Sequence, residues 1–334
     1  MRILVTGAAG FIGSHLAEAL LAGDHEVVGF DNFDPFYSRE IKERNLAAAL
    51  AEPRFQLIEG DLRDRDAVRG LFSGGGYDVV VHLAAKAGVR PSLADPESYV
   101  TTNVVGTSHL LDAMKASGVR RLVFASSSSV YGNNEKVPFH EDDRVDRPIS
   151  VYAMTKKAGE ELCHVHAAVH GVRTMCLRFF TVYGPRQRPE MAIHDFTRRL
   201  FEGEEIPLFG DGSMERDFTF VDDVVRGVVV AIERVDDVEY EIVNLGNSSP
   251  VSLTGLLEAL ARATGRSPRV VHRPVPPGDV RRTFASVERA AELLGFAPDT
   301  PLDRGLERFV EWYAAERPGA RAPLERGPRA AGTG

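Results

Sequence analysis

The chain has 334 residues, 43% of them hydrophobic and 26% charged, with a formal net charge of -8 at pH 7. Such a composition suits a soluble protein with a sizeable core, and no apolar run approaches the roughly 18 residues of a membrane span. The acidic balance argues against a nucleic-acid partner, because proteins that bind polyphosphate backbones present basic faces.

Between Arg2 and about Arg178, short β-branched runs alternate with helical stretches. Strands are predicted over Ile3–Thr6, Glu26–Phe30, Phe55–Glu59, Val79–Leu83, Arg121–Ala125 and Thr174–Leu177. Helices are predicted over His15–Ala22, Ala67–Phe72, Thr101–Ser117 and Val151–His170, with Gly23, Gly118 and Gly171 as stops. This alternation specifies an α/β fold, a Rossmann-type doubly wound parallel sheet. After Arg178 the rhythm breaks at Pro185, Pro189, Pro207 and Gly210-Asp211-Gly212, which predicts a smaller, loop-rich unit that shapes a pocket. The segment Arg216–Ile232, helical from about Val221, and a strand over Glu241–Leu245 are expected to return to the first unit. The expected organisation is a cofactor-binding unit over 1–178 with returning segments at about 216–248, an interleaved C-terminal substrate unit over 179–215 and 249–316, and a mobile tail over 317–334. The chain opens directly on a strand and glycine turn, and its only cysteines, Cys163 and Cys176, lack metal-type spacing. A cytoplasmic protein with reduced thiols, no metal and no membrane contact is therefore expected.

Gly7, Gly10 and Gly13, with Phe11 and Ile12 among them, follow the first strand and open the first helix. Glycines there remove the Cβ atoms that would keep a pyrophosphate from the backbone, and a helix N-terminus favours its negative charge. The segment predicts a dinucleotide. Asp31 ends the second strand, where a ribose-binding carboxylate belongs, and its neighbours Asn32 and Phe33 bring no cation, so NAD is preferred over NADP. Tyr152 and Lys156 lie four apart on one helix face. The ammonium is expected to lower the phenol pKa from about 10 toward working pH, making Tyr152 a proton-transfer group. His82, on an apolar strand, reads as a packed core histidine. His164, His166 and His170 read as a helix face without a third metal ligand.

The glycine turn, the run Ser126-Ser127-Ser128-Ser129-Val130-Tyr131-Gly132 and the Tyr152–Lys156 segment together resemble the extended short-chain dehydrogenase/reductase family, and within it the nucleotide-sugar epimerases. The resemblance extends from Met1 to about Trp312. It implies a catalytic Ser127, counted back from Val130-Tyr131-Gly132, and a Lys156 that also holds the nicotinamide ribose. It implies further that Asp61 and Leu62 flank the adenine, that Ala84, Ala85 and Lys86 line the cofactor path, and that Asn103 sits on the helix beyond. A homodimer through the helices at Thr101–Ser117 and Val151–His170 is also implied.

Gly88-Val89-Arg90, Arg178–Pro185, Arg216–Asp223 and Pro277–Val280 are similar to segments of the UDP-sugar branch. By that similarity Arg90, Arg188 and Arg216 lie near a diphosphate or sugar, which suits the paired donors of guanidinium, and Asp279 lies at the uridine ribose. Asn32–Tyr37 followed by Lys42, Ala84–Arg90, and Arg188–Ala192 resemble the UDP-glucuronate 4-epimerase subgroup, from which Gln187 departs. The implied activity is NAD-dependent C4 epimerisation of UDP-glucuronate to UDP-galacturonate through a transient 4-keto sugar. Such a 4-keto uronate is a β-keto acid that readily loses carbon dioxide. Relatives that decarboxylate or dehydrate carry an acid where this chain has Ser128 and Ser129, and neutral-sugar epimerases carry Asn where it has Thr181. The hydroxyls of Ser128, Ser129 and Thr181 are therefore expected to bind the sugar carboxylate and hold its breaking bond out of line with the carbonyl. The competing readings are a 4-epimerase of neutral UDP-glucose or UDP-N-acetylglucosamine, a UDP-glucuronate decarboxylase, and a non-catalytic NAD-binding regulator.

Overall fold

The structure is a computed structural model that describes residues 1–74, 76–276 and 278–317; Pro277 and the predicted tail beyond Arg317 lie outside the described residues. The first half runs β1 (Arg2–Thr6), α1 (Phe11–Ala22), β2 (Glu26–Asp31), α2 (Arg39–Leu50), β3 (Phe55–Glu59), α3 (Arg65–Ser73) and β4 (Val79–His82). Short helices α4 (Val89–Ala94) and α5 (Pro96–Val100) lead through a π-helical turn, Thr101–Val105, into α6 (Gly106–Ser117), β5 (Arg121–Ser127), α7 (Val151–His170) and β6 (Arg173–Phe179). Then come β7 (Thr181–Tyr183), α8 (Ala192–Glu202), β8 (Glu205–Phe209), β9 (Glu215–Phe220), α9 (Val221–Arg234) and β10 (Tyr240–Leu245). The chain closes with β11 (Pro250–Ser252), α10 (Leu253–Thr264), β12 (Arg269–Arg273), α11 (Glu288–Leu294) and α12 (Leu302–Glu316).

Seven strands form one parallel sheet in the order β10-β6-β5-β4-β1-β2-β3. The two-residue period of a strand sorts its side chains into two apolar layers. Ile3, Val5, Val27, Val79 and Val81 join Leu16 and Leu20 of α1 and Val224 and Val228 of α9 on one face. Leu4, Val28 and Val80 join Leu71 of α3 and Leu110, Leu111 and Met114 of α6 on the other. The strand order reverses between β1 and β4, so the loops after these two strands diverge and leave a crevice at their carboxyl ends. β9 pairs with β7 and β11 off the main sheet, α9 packs on α1, and β10 completes the main sheet beside β6.

The predicted limits of α7 are those observed, because the Ser150 hydroxyl caps the Ala153 N–H and Gly171 ends the helix in the left-handed region at φ 65. Gly118 ends α6 in the same way at φ 78, whereas Gly23 closes α1 at φ -87 with no left-handed turn. The helix predicted over Thr101–Ser117 is interrupted by the π turn, and Asn103 lies in it with its amide committed to the backbone of Lys86.

A buried ion pair braces the sheet under the serine run. Arg178 on β6 grips Glu160 on α7 through Nε to Oε1 at 2.8 Å and Nη2 to Oε2 at 2.9 Å, with side-chain exposures of 1% and 0%. Ser126 donates to the same carboxylate at 2.6 Å. Arg178 also donates to the Tyr131 hydroxyl, which donates in turn to Asn244 on β10.

Candidate active site

A cavity of about 630 Å³ occupies the crevice, lined by the turn after β1, the segment after β4, the serine run after β5 and Phe179–Val182. Gly7, Gly10, Phe11, Ile12 and Gly13 form one wall. A Cβ on Gly13 would come within 2.1 Å of the Gly7 carbonyl, and one on Gly7, whose φ is +74, within 2.8 Å of the Ala84 amide. Only glycines allow this packing. No side chain caps α1, and the first-turn N–H groups of any helix lack intrahelical partners, so the turn presents the donors a pyrophosphate needs. The residues present thus fit the phosphates of NAD.

Asp31 and Asn32 lie beside this wall with Asp61 and Leu62. The Asp31 carboxylate accepts the N–H groups of Ala9 at 3.0 Å and Phe33 at 2.8 Å, and burial raises its pKa against those bonds and the nearby Lys42 charge. Asp61 is held well below the usual carboxylate range by Arg63, which grips both of its oxygens, and it also accepts from Asn32. Ala84, Ala85 and Lys86 continue the lining. Asn103 does not line the cavity. It lies beneath, with Oδ1 taking the Lys86 N–H and Nδ2 donating to the Lys86 carbonyl and the Thr155 hydroxyl.

His82 is buried, as a core histidine should be, and sits in a directed chain of hydrogen bonds. Thr107 Oγ1 donates to the Asn103 carbonyl at 2.6 Å, so it accepts from His82 Nε2 at 2.9 Å. His82 Nδ1 then accepts from Thr6 Oγ1 at 2.7 Å, and Thr6 Oγ1 accepts the Ala84 N–H. The chain requires a neutral imidazole, and burial together with the Lys156 charge pushes its pKa down to about 3.

Ser127, Ser128, Ser129, Tyr152, Lys156, Thr181 and Arg188 share the other end of the cavity. Ser127 ends β5 and donates to Ser129 Oγ at 3.0 Å. Tyr152 lines the same end of the cavity as Ser127. The predicted lowering of the Tyr152 pKa is corrected for the ligand-free protein. Burial raises it, outweighing the lowering influence of Ser127 and of the Arg188 charge. Lys156 instead donates Nζ to the Ala125 carbonyl at 2.6 Å, and burial brings its own pKa down to about 8.

Tyr99 and Thr102, which sequence reasoning passes over, also line this end. The Tyr99 ring stands edge-on to Tyr152 at 6.3 Å, and its hydroxyl holds the Ala87 carbonyl. An aromatic residue in a short helix carries no signal of its own, and only the fold brings it to Tyr152.

The predicted cations separate. Arg188 faces the cavity, pairs with Glu190 at 3.1 Å and lowers the pKa of both Tyr152 and Tyr99 against the burial of each. Arg90, Arg216 and Asp279 lie outside the cavity lining and form their own cluster. In it Asp279 meets Arg90 at 2.7 Å and Arg216 at 3.8 Å, while Arg90 stacks over Phe209.

No helix among the described residues is long and apolar enough to cross a membrane, and none of them form a group of three or more metal ligands. Cys163 and Cys176 are buried free thiols.

Comparison with known proteins follows the same lines. A probable UDP-glucuronate 4-epimerase of Rhizobium meliloti is 42% identical over 332 residues, covering 94% of this chain and 97% of that protein. UDP-glucuronate 4-epimerase 2 of Arabidopsis thaliana is 41% identical over 94% of this chain and 76% of its own length. The crystal structure of a UDP-glucuronic acid 4-epimerase from Bacillus cereus, in complex with UDP-glucuronic acid and NAD, superposes with a TM-score of 0.90 at 38% identity, over 95% of this chain and 100% of that one. The family model for NAD dependent epimerases and dehydratases matches residues 3–246. With that match spanning well over half of its length, the chain belongs to the NAD-dependent epimerase/dehydratase family.

Proposed function

We propose that this protein is a UDP-glucuronate 4-epimerase, an NAD-dependent isomerase that interconverts UDP-glucuronate and UDP-galacturonate through a 4-keto sugar. The observation that carries the reading is the convergence of Tyr152 and Ser127 with Lys156, Thr181 and Arg188 in one cavity beside a glycine cradle. Gly7, Gly10 and Gly13 with Phe11 and Ile12 would hold the pyrophosphate of NAD, Asp31 and Asn32 the adenine ribose, and Asp61 and Leu62 the adenine. Ala84, Ala85 and Lys86 would follow the cofactor toward its nicotinamide end, with Asn103 as the strut beneath them. When bound, NAD supplies a reversible hydride acceptor for C4 and a positive ring that lowers the phenol pKa where the free protein does not.

The chain's own groups do the rest. Tyr152 removes the proton of the C4 hydroxyl and returns it, with Ser127 supporting the exchange. Lys156 would hold the nicotinamide ribose, and its depressed pKa keeps the amine near the threshold of proton exchange. Inversion follows when the sugar turns and presents its other face to the same groups. Arg188 lines the cavity with Tyr152 and lowers its pKa, which supports a place on the sugar side, whereas Arg90, Arg216 and Asp279 suit the diphosphate and uridine. Thr181, Ser128 and Ser129 supply neutral donors for a uronate carboxylate and no acid that would repel it. Incubation with UDP-glucuronate followed by NMR tests the reading, with the C4 epimer as the expected product. A UDP-pentose would reassign the protein as a decarboxylase, and conversion of UDP-glucose alone as a neutral-sugar epimerase.

A homodimer and a cytoplasmic setting complete the proposal. Val165 and Val169 on α7, 51% and 67% exposed, and Val105 ahead of α6, 41% exposed, support a helical interface. Val169→Asp should shift the sedimenting species to the monomer, and an unchanged mass would remove this part. The unpaired thiols support a reducing compartment.

A further inference from the structure

The loop that delivers Arg188 is gripped by the helix that carries the cofactor cradle. Gly184 and Arg186 lie at φ 145 and 65. Glycine adopts such values freely, whereas a long side chain rarely does and remains there only where its surroundings over-determine it. Three contacts surround the turn. His15 on α1 donates Nε2–H to the Pro185 carbonyl at 2.9 Å. Glu18, three residues on and thus on the same helix face, meets the Arg186 guanidinium at 2.8 Å. Gln187, 2% exposed, donates Nε2–H to the Val182 carbonyl at 3.1 Å, and its own N–H returns to Gly184. Residues 185, 186 and 187 are therefore each fixed by a separate partner, and the next residue is the arginine that enters the cavity.

The grip is also tied to the cofactor wall. The His15 ring stands edge-on to Phe11 at 5.9 Å, and Phe11 lines the cavity. Burial lowers the His15 pKa, so near pH 7 the imidazole is neutral and the bond to Pro185 selects the Nε2–H tautomer. The apolar face of α1, through Leu16, Leu20 and Leu21, already packs into the core. His15 and Glu18 therefore contribute something besides docking the helix.

We propose that His15 and Glu18 are positioning residues that set the reach of Arg188 toward an anionic sugar. The inference rests on the reading of Arg188 as the sugar-side cation. Two ordinary side chains of the cofactor helix thereby become determinants of substrate charge selectivity without touching substrate.

The test is a mutant cycle on the NAD-loaded protein with Glu18→Gln, His15→Leu and Arg188→Ala, reading kcat/KM for UDP-glucuronate and UDP-glucose and the Kd of UDP-glucuronate. Each single latch variant should lower kcat/KM for UDP-glucuronate about three- to tenfold and leave UDP-glucose within about twofold. In the Arg188→Ala background neither variant should add a further loss, because the latch acts through Arg188 alone. Equal losses with both sugars, or a loss that persists undiminished beside Arg188→Ala, would overturn the proposal. Glu18→Gln keeps the side-chain shape at a partly exposed position, so it carries the test if His15→Leu folds poorly. If the parent does not turn over UDP-glucuronate, the functional reading fails separately, and the same cycle read in the Kd of UDP-glucuronate still decides the latch.

Discussion

Replacing Arg178 by methionine isolates what the buried pair under the serine run contributes. Four hydrogen bonds disappear: two to Glu160 at 2.8 and 2.9 Å, one to the Tyr131 hydroxyl at 3.0 Å and one to the Glu141 carbonyl at 3.2 Å. The Glu160 carboxylate keeps Ser126 at 2.6 Å and Lys157 at 3.4 Å, neither of which replaces a guanidinium held on both oxygens. Leaving a buried charge without its partner costs about 3–5 kcal/mol, and the unfolding free energy at neutral pH should fall by that amount. The pH profile carries a second signature. Burial works against the charge on Glu160, yet Arg178 prevails and holds the carboxyl below its ordinary pKa of 4.5. In the parent this contribution is present above the ordinary value and is lost as pH falls through the lower folded one. In Arg178→Met burial, the largest influence, is opposed only by Ser126 and Lys157 and raises the folded pKa, so the contribution is present at acid pH and is lost as pH rises toward neutrality. Urea unfolding followed by the fluorescence of the single tryptophan, Trp312, at about pH 5 and about pH 7 reads both effects. Pairing Arg178→Met with Glu160→Leu should recover most of the loss, since the charge is then gone. A loss below about 1 kcal/mol at neutral pH, or an unchanged pH profile, would refute the reasoning.

Tyr152→Phe should abolish turnover while calorimetry finds UDP-sugar and NAD binding nearly intact, because it deletes one oxygen and little apolar area; near-normal activity would remove Tyr152 from the mechanism. Thr181→Val should slow epimerisation of UDP-glucuronate about ten- to a hundredfold, the worth of a hydrogen bond to a charged group, and release carbon dioxide and a UDP-pentose. Thr181→Ser keeps the donor and should stay mostly faithful. Parent-like epimerisation by Thr181→Val with no carbon dioxide would exclude the hydroxyl clamp.

Features that announce themselves locally were legible in the sequence. The glycine cradle, the six strands up to β6 and the limits of α7 all follow from short-range periodicity and capping, as Ser150 and Gly171 illustrate. Less legible was α2, only four of whose twelve residues are buried, so its apolar stripe is thin. Partners distant in sequence left no trace, among them Asp279 with Arg90, 189 residues apart, and β8 with β12. The spacing of Tyr152 and Lys156 put both on one helix face, and both line the cavity, but it carried no information about where the amine points. The Ala125 carbonyl takes Lys156 Nζ, and desolvation decides the phenol pKa. Asn103 and His82 likewise required the third dimension, since their significance lies in which backbone groups they join.

The sheet is closed by a strand that arrives late. β6 ends at Phe179, but its outer neighbour β10 is not complete until Leu245. Asn244 on that strand then accepts from Tyr131, bonds the Phe139 and Ser286 carbonyls, and gives its N–H to Glu141. A ribosome that has released α7 and β6 therefore presents an almost finished sheet with an unsealed apolar edge for dozens of further codons. Over that interval the growing polypeptide is exposed to edge-to-edge association with its neighbours, and its dependence on holding chaperones should peak between the emergence of β6 and that of β10.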